Sequence, residues 1–312
     1  MSCLLFLLWS GSEAWGLTYT QKDSLRVVEL LRDGAQQPQG TNLMLYFGHR
    51  LLDVPYVGQT LEVNPKEELV VNLRQLDCTT FVEKVLALTL TTRQGGRKWD
   101  DYCRTLTRIR YRGGRMQGYP SRNHYFSQWI ESNVALGIVS ERKATPAGNY
   151  FPFTATQRID VHYMSQHPDL YPMLKGKQDD IARIRKYEEE INGTAVRYIP
   201  SRLLGRDRKA LRYVQDGDIL ALVTSRDGLD ISHVGIAEWG ADGKLHLLNA
   251  SSIHKKVVLE SITLYQYARQ HPSMLGIRVI RCPLLNPGLT PNPSPVGEGN
   301  FVGKAKLKET NN

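Results

Sequence analysis

Four short apolar runs follow one another in the last third of the chain: "DILALVT" (Asp218–Thr224), "SHVGIAEW" (Ser232–Trp239), "KLHLLNAS" (Lys244–Ser251) and "GIRVIRC" (Gly276–Cys282). Each has strand length, and Asp242-Gly243 is a hairpin signal between the second and third. Helical patterns precede them. Gln21–Asp33 repeats apolar residues at Leu25, Val28, Leu30 and Leu31, and Leu43–Leu52 reads as a second helix. Glu68–Leu73 reads as a strand, and the helix from Cys78 to about Thr91 follows it. Trp99–Ile109, Tyr125–Leu136 and the charged Lys177–Ile191 complete the helices, with an irregular aromatic stretch at Thr145–Leu174. Helices first and a compact antiparallel sheet after them predict an α+β fold.

At the ends the pattern changes. "MSCLLFLLWSGSEAWG" holds an apolar run, Cys3–Trp9, then small residues at Ser12-Glu13-Ala14, and residues 1–16 are expected to be the remnant of an export signal. The run is too short to span a bilayer, so no stable membrane insertion is expected. Residues 287–312 are rich in Pro, Gly, Asn and Ser and are expected to be disordered. One domain over residues 17–286 is expected between them. The formal net charge of +9 suits an anionic partner. No zinc-finger spacing, RNP-type aromatic motif or long Lys/Arg block supports nucleic acid.

Four cysteines are present: Cys3, Cys78, Cys103 and Cys282. None has metal-ligand spacing, so no metal is expected. Removing a leader leaves three, an odd number, which points to an intermolecular bridge or a free thiol. Whether Cys103 pairs with Cys282 is left open.

The stretch "RQLDCTTFVEKVLAL" (Arg74–Leu88) puts a cysteine where an extended run becomes a helix. Asp77 can cap the free backbone N–H groups there. The helix N-terminus stabilises a thiolate, and the same N–H groups can hold an oxyanion. The alternative is a small buried residue packing helix on sheet. A thiolate nucleophile needs an imidazole. Alternation puts Ile231, His233, Gly235 and Ala237 on one strand face, where small residues leave room for a helix; a core histidine is the alternative. If Ala241-Asp242-Gly243 is a three-residue loop, Asn249 lies opposite Gly235 and diagonal to His233. Its amide oxygen can then fix the imidazole tautomer. His246 faces the other way, and a slip of one residue would exchange the two. His162 and His167 have no partner pattern and read as structural.

"LDCTTFVE", "DISHVGIA" and "LNASS" resemble the NlpC-type branch of papain-like cysteine peptidases, in which a D-C-[ST]-x-F-V helix start precedes an S/T-H-V-G-I strand and an H-A-S-like strand. "VPYVGQTLE" resembles the upstream P-Y-x-x-G-G element of that branch without its second glycine. More broadly, Leu25 to Leu284 resembles a bacterial family described as N-acetylmuramoyl-L-alanine amidase-like, through "LRQLDCTTFVE", "RNHYFSQWI", "YIPSRLL" and "DGDILALVT" with "LDISHVGIA". The resemblance implies a papain-like (NlpC-type) fold, with the nucleophile helix packed on an antiparallel β-sheet and extra helices. It implies Cys78 as nucleophile, His233 as base and Asn249 in a third position that is often histidine in relatives. It also implies Tyr56 in the pocket, no cofactor, and a peptidoglycan or muropeptide substrate met in the periplasm or cell envelope. Arg122, His124 and Tyr125 become substrate-site candidates, since arginine grips carboxylates and aromatics stack on sugars. Asp77 and Ser232 join them as neighbours of the nucleophile and base. The implied reaction is hydrolysis of the bond between muramic acid and L-alanine. A stem-peptide endopeptidase, a non-hydrolytic wall-binding module and an acyltransferase remain alternatives.

Overall fold

The computed structural model describes residues 16–144 and 148–283. The expected leader, up to residue 15, and tail therefore lie outside the described residues. The helical half runs as β1 (Leu17–Thr18), α1 (Gln21–Ala35), α2 (Leu43–His49), β2 (Leu69–Val70), α3 (Cys78–Arg93), α4 (Trp99–Arg110) and α5 (Phe126–Ala135). β3 (Ser140–Arg142), β4 (Ala155–Arg158), α6 (Tyr163–Gln166) and α7 (Gln178–Ile191) lead into the sheet half. That half holds β5 (Ala195–Pro200), β6 (Ile219–Thr224), β7 (Ile231–Trp239), β8 (Leu245–Ser251), β9 (Lys256–Leu259), α8 (Leu264–Gln270) and β10 (Met274–Arg281).

The fold is α+β, with an antiparallel sheet and eight helices among the described residues. The main sheet has the order β4-β5-β10-β6-β7-β8-β9, with β3 also pairing β10. Eight strands stand where the sequence marks four. β3, β4 and β9 span only three or four residues, too few for alternation to establish itself, and β5 ends in a proline. Gly276 lets β10 and β5 meet, because a Cβ there would lie 2.1 Å from the Ile199 carbonyl oxygen. The run Glu68–Leu73 forms only a two-residue strand, paired in parallel with β1. Side chains take over the rest of it: Asp23 accepts from the Leu73 amide at 2.8 Å, and Arg110 donates to the Val70 carbonyl at 2.7 Å.

β6 is buried along its whole length because both of its faces are covered. On one face Ile219 and Ala221, with Val234, Ile236, Leu248 and Ala250, pack against α1 to α5. On the other, Leu220, Leu222, Ala237 and Leu247 pack against α8 and the 204–214 segment. α3 lies inside the first layer, and Thr80 to Thr92 are all buried. Each large apolar side chain there contributes about 1.5–3 kcal/mol. α1 buries Val27, Leu30, Leu31 and Gly34, while Leu25 and Val28 face outward. Asp23 sets this rotation. It forms a capping box with Thr20 and sits buried on the same stripe as Val27. Among the described residues, no helix is long and apolar enough to cross a membrane.

Candidate active site

Asp77 precedes α3 with extended backbone and accepts from the Thr80 amide at 2.8 Å, while its own amide donates to Thr80 Oγ1 at 2.9 Å. This reciprocal cap leaves Cys78 as the first residue of α3, half-buried, at the positive end of the helix. The chain before it is tied down. The Leu76 amide donates to the Pro55 carbonyl, and the Val57 amide to the Leu76 carbonyl. The Tyr56 amide donates to Lys255, and the Val257 amide to Val54. The 54–57 loop is therefore held to both α3's approach and β9, and it brings Tyr56 to Cys78. Burial first, then the charges of Cys78 and Asp77, push the Tyr56 phenol up to about 12. Its hydroxyl thus keeps its proton and stays a donor.

β7 and β8 pair with Ile236 opposite Leu248, so that Asn249 falls opposite Gly235, the register expected from the three-residue loop. The face assignment differs from expectation. A bulge between the Leu222–His233 and Val223–Ile231 pairs leaves Ser232 unpaired and breaks the alternation. Ile231 packs with the helix-side core, and Ser232 is exposed with its hydroxyl donating to the Leu222 carbonyl. No helix uses the room beside Gly235. A Cβ there would meet Leu247, the Leu248 carbonyl and Asn249 Cβ at 2.7–3.0 Å. Gly235 lets Asn249 come close to β7.

His233 Nε2 lies 2.9 Å from Asn249 Oδ1, which leaves Nδ1 for another partner. Burial works against charge on this ring. The Cys78 charge, a hydrogen bond with the Cys78 thiol, the Asn249 amide and the Glu260 carboxylate outweigh it and raise the His233 pKa. Tyr267 of α8 covers the ring, stacked at 6.5 Å and 20°, with His271 stacked beyond it at 4.1 Å. Burial and the charges of Glu260 and Cys78 push the Tyr267 phenol up to about 12.

The line continues past Asn249. Its Nδ2 donates to Glu260 Oε1 at 3.0 Å, and Glu260 Oε2 lies 3.1 Å from His254 Nε2. Tyr267, Glu260 and His254 have no counterpart in the sequence reading. α8 spans only seven residues, too few for a helical period to stand out. Glu260 was findable: it follows β9 and lies opposite Leu247 once the β8–β9 register is known.

Arg122, His124 and Tyr125 are placed apart. Arg122 donates through Nε and Nη2 to both oxygens of Glu67, at 3.0 and 2.6 Å, and through Nη1 to Glu62. Burial opposes its charge, and the two carboxylates more than restore it. His124 binds the Tyr119 carbonyl at 2.9 Å. Burial and the Arg122 charge push its pKa down to about 3. The Tyr125 hydroxyl donates to Glu188 Oε1 and accepts from the Met164 amide. Among the described residues, no hydrogen bond or ion pair joins these three to Cys78, His233 or Asn249. Cys103 and Cys282 are buried and free, and burial raises both thiols, Cys282 to about 11. Among the described residues, no cluster of three or more His, Cys, Asp or Glu side chains is arranged to hold a metal ion.

The model of a family described as AmiA-like, N-acetylmuramoyl-L-alanine amidase-like, matches residues 46–277. Solved structures resemble the chain along most of its length. An N-acetylmuramoyl-L-alanine amidase from Bacteroides uniformis is 38% identical, with a TM-score of 0.71 over 81% of this chain and all of that one. A Bacteroides fragilis chain whose name proposes a xylanase is 43% identical, with a TM-score of 0.69 over 76% of this chain and 99% of that one. A Legionella pneumophila protein of the DUF1460 family is 19% identical, with a TM-score of 0.61 over 83% of this chain and 94% of that one, and it supports the fold alone. Among curated proteins, none matches.

Proposed function

The chain belongs to the N-acetylmuramoyl-L-alanine amidase-like family, and from that premise we propose that it is a cysteine amidase of papain-like, NlpC-type architecture that cleaves the N-acetylmuramoyl–L-alanine bond of peptidoglycan or its fragments. The Cys78 thiolate attacks the amide carbonyl carbon. The carbonyl oxygen becomes an oxyanion, met by the Cys78 backbone N–H and the protonated Tyr56 hydroxyl. The tetrahedral intermediate collapses as His233 gives its proton to the departing amine, leaving a thioester. Neutral His233 then takes a proton from water, the hydroxide attacks the thioester, and Cys78 leaves as thiolate. Asn249 holds the ring by accepting from Nε2–H.

One observation carries this reading. His233 Nε2 meets the Asn249 amide oxygen at 2.9 Å, and the same ring is coupled electrostatically to the thiol of Cys78, the first residue of α3. The same neighbourhood argues against a glycosidase, the activity named for one relative. A retaining or inverting glycosidase needs two facing carboxyl groups. Here the Asp77 carboxylate caps α3, and both oxygens of Glu260 are engaged by Asn249 and His254. Arg122, His124 and Tyr125 stabilise the scaffold in this reading rather than gripping a stem carboxylate. Substrate contacts fall to Tyr56 and Tyr267, which lie by the thiol and imidazole, and to the exposed Ser232 next to His233 in the chain.

The enzyme acts in the periplasm or cell envelope, where its net charge of +9 favours an anionic wall. Residues 17–286 form its one catalytic domain. Cell fractionation of the full chain tests the location; recovery in the cytoplasm alone would rule it out. Mass spectrometry of products from defined muropeptides tests the reaction. The expected products are a free N-terminal L-alanine and an intact sugar lactyl group, absent with Cys78→Ser. A cut within the stem would make the chain an endopeptidase, and no cut with substrate retained would make it a wall-binding module.

A further inference from the structure

An asparagine amide is nearly symmetric in shape, and turning it over exchanges oxygen for nitrogen. Only one of its two orientations serves His233. With Oδ1 toward the ring, Nε2 must carry the hydrogen, and Nδ1 is free for the thiol. With Nδ2 toward the ring, the tautomer reverses. Something has to choose between them. The Leu247 carbonyl accepts from Nδ2 at 3.4 Å, a long and weak contact. Glu260 Oε1 accepts from Nδ2 at 3.0 Å. An ionised carboxylate has no hydrogen to give, so the flipped amide would set oxygen against oxygen inside a buried site. Asn249 is fully buried and Glu260 is 4% exposed, so no water competes for the choice.

Glu260 is itself fixed. Its amide donates to the Leu247 carbonyl at 2.9 Å, and its own carbonyl receives His246 Nδ1 at 3.0 Å. Its second carboxylate oxygen meets His254, whose side chain is 49% exposed in the turn between β8 and β9. Its charge also acts on Tyr267 and His233.

We propose that Glu260 is a positioning residue of the cysteine amidase: it locks the Asn249 amide so that its oxygen faces His233, and His254 holds Glu260 in place from the solvent side. The inference rests on the reading of Cys78 and His233 as nucleophile and base. It extends the array by two members, from thiol and imidazole through amide to carboxylate and an outer imidazole.

The test compares Glu260→Leu, Glu260→Gln and His254→Ala in the full chain. It measures kcat and KM on a muropeptide, and it reads the His233 ring directly by 15N resonances of histidine-labelled protein, assigned with His233→Ala. Glu260→Leu removes both acceptor and charge. It is expected to lower kcat by about ten- to a hundredfold with little change in KM, to lose the single Nε2–H tautomer, and to lower the His233 titration midpoint. Glu260→Gln keeps a carbonyl for Asn249, so it should keep the tautomer while showing the lowered midpoint. His254→Ala should show a smaller kcat loss of the same kind. A Glu260→Leu protein that is folded, and whose His233 keeps the wild-type tautomer, overturns the proposal whatever its activity. If that variant fails to fold, Glu260→Ala takes its place, and an unchanged His233 tautomer there overturns it. The two readings separate cleanly. A fully active Cys78→Ser removes the nucleophile assignment, while the ring resonances still decide whether Glu260 sets the tautomer.

Discussion

All three guanidinium nitrogens of Arg122 donate to Glu62 and Glu67, and the Tyr111 hydroxyl donates to the same Glu67. The His233 array is of similar size but is wired differently. It runs as a line from His254 through Glu260, Asn249 and His233 toward the Cys78 thiol, whose hydrogen-bond contact among the described residues is Thr79 at 4.0 Å. A guanidinium whose three nitrogens all serve carboxylates has none of them left for a ligand, and removing it strands buried charge. An open line offers its last member. Polarity and burial alone do not separate the two arrays; the free end does.

The comparison breaks first at its free end. Cys78→Ser should cut turnover by about 10⁴-fold or more with the thermal midpoint unchanged, because the change removes the nucleophile and little volume. Turnover near wild type would mean that the line ends elsewhere. Arg122→Ala should do the opposite. It leaves Glu62 and Glu67 facing each other without a cation, so urea unfolding should show a loss of about 3–5 kcal/mol. Activity per folded molecule should stay near wild type; a raised KM without instability would return Arg122 to the substrate.

Within the open line the losses should be graded. His233→Ala removes the proton carrier, whereas Asn249→Ala removes only its orientation and should cost about ten- to a hundredfold in kcat. Equal losses would show that orientation is the whole of the effect. The two arrays should also titrate in different windows. The raised His233 pKa keeps the leaving-group acid protonated above 6.5, so activity should persist past that pH and fall as the ring loses its proton. His124 is depressed to about 3, so the folded chain leaves it neutral while the unfolded chain protonates it below about 6.5. Its contribution to stability is complete above that pH and is lost as pH falls toward 3. The urea midpoint should therefore slope over this range, and His124→Gln should flatten part of the slope, the smallest effect of the set.

The same contrast explains what the sequence could reveal. Asp77 and Cys78 are adjacent, and their helix start is a local pattern that survives folding. Asn249 was reachable through a hairpin whose loop fixes the register. Ser232 was not, because a bulge depends on how two strands twist together rather than on either strand alone. Arg122 looked like a carboxylate receptor because Glu62 and Glu67 lie far back in the chain, and no local pattern says that they return to meet it. Leu25 and Val28 misled in a similar way. Their helical spacing is real, but a buried acidic cap turned the helix to show them to solvent.

The order of synthesis adds a final point. Cys78 belongs to the helical half, which leaves the ribosome first, while its imidazole, amide and carboxylate arrive on β7, β8 and the residue after β9, near the end of the described chain. Until those strands have been made and paired, the sulfur has no base beside it and Tyr56 has lost the β9 side of its tether. On the proposed reading, a growing or prematurely terminated chain has the thiol without its imidazole, so hydrolysis awaits the pairing of β7, β8 and β9.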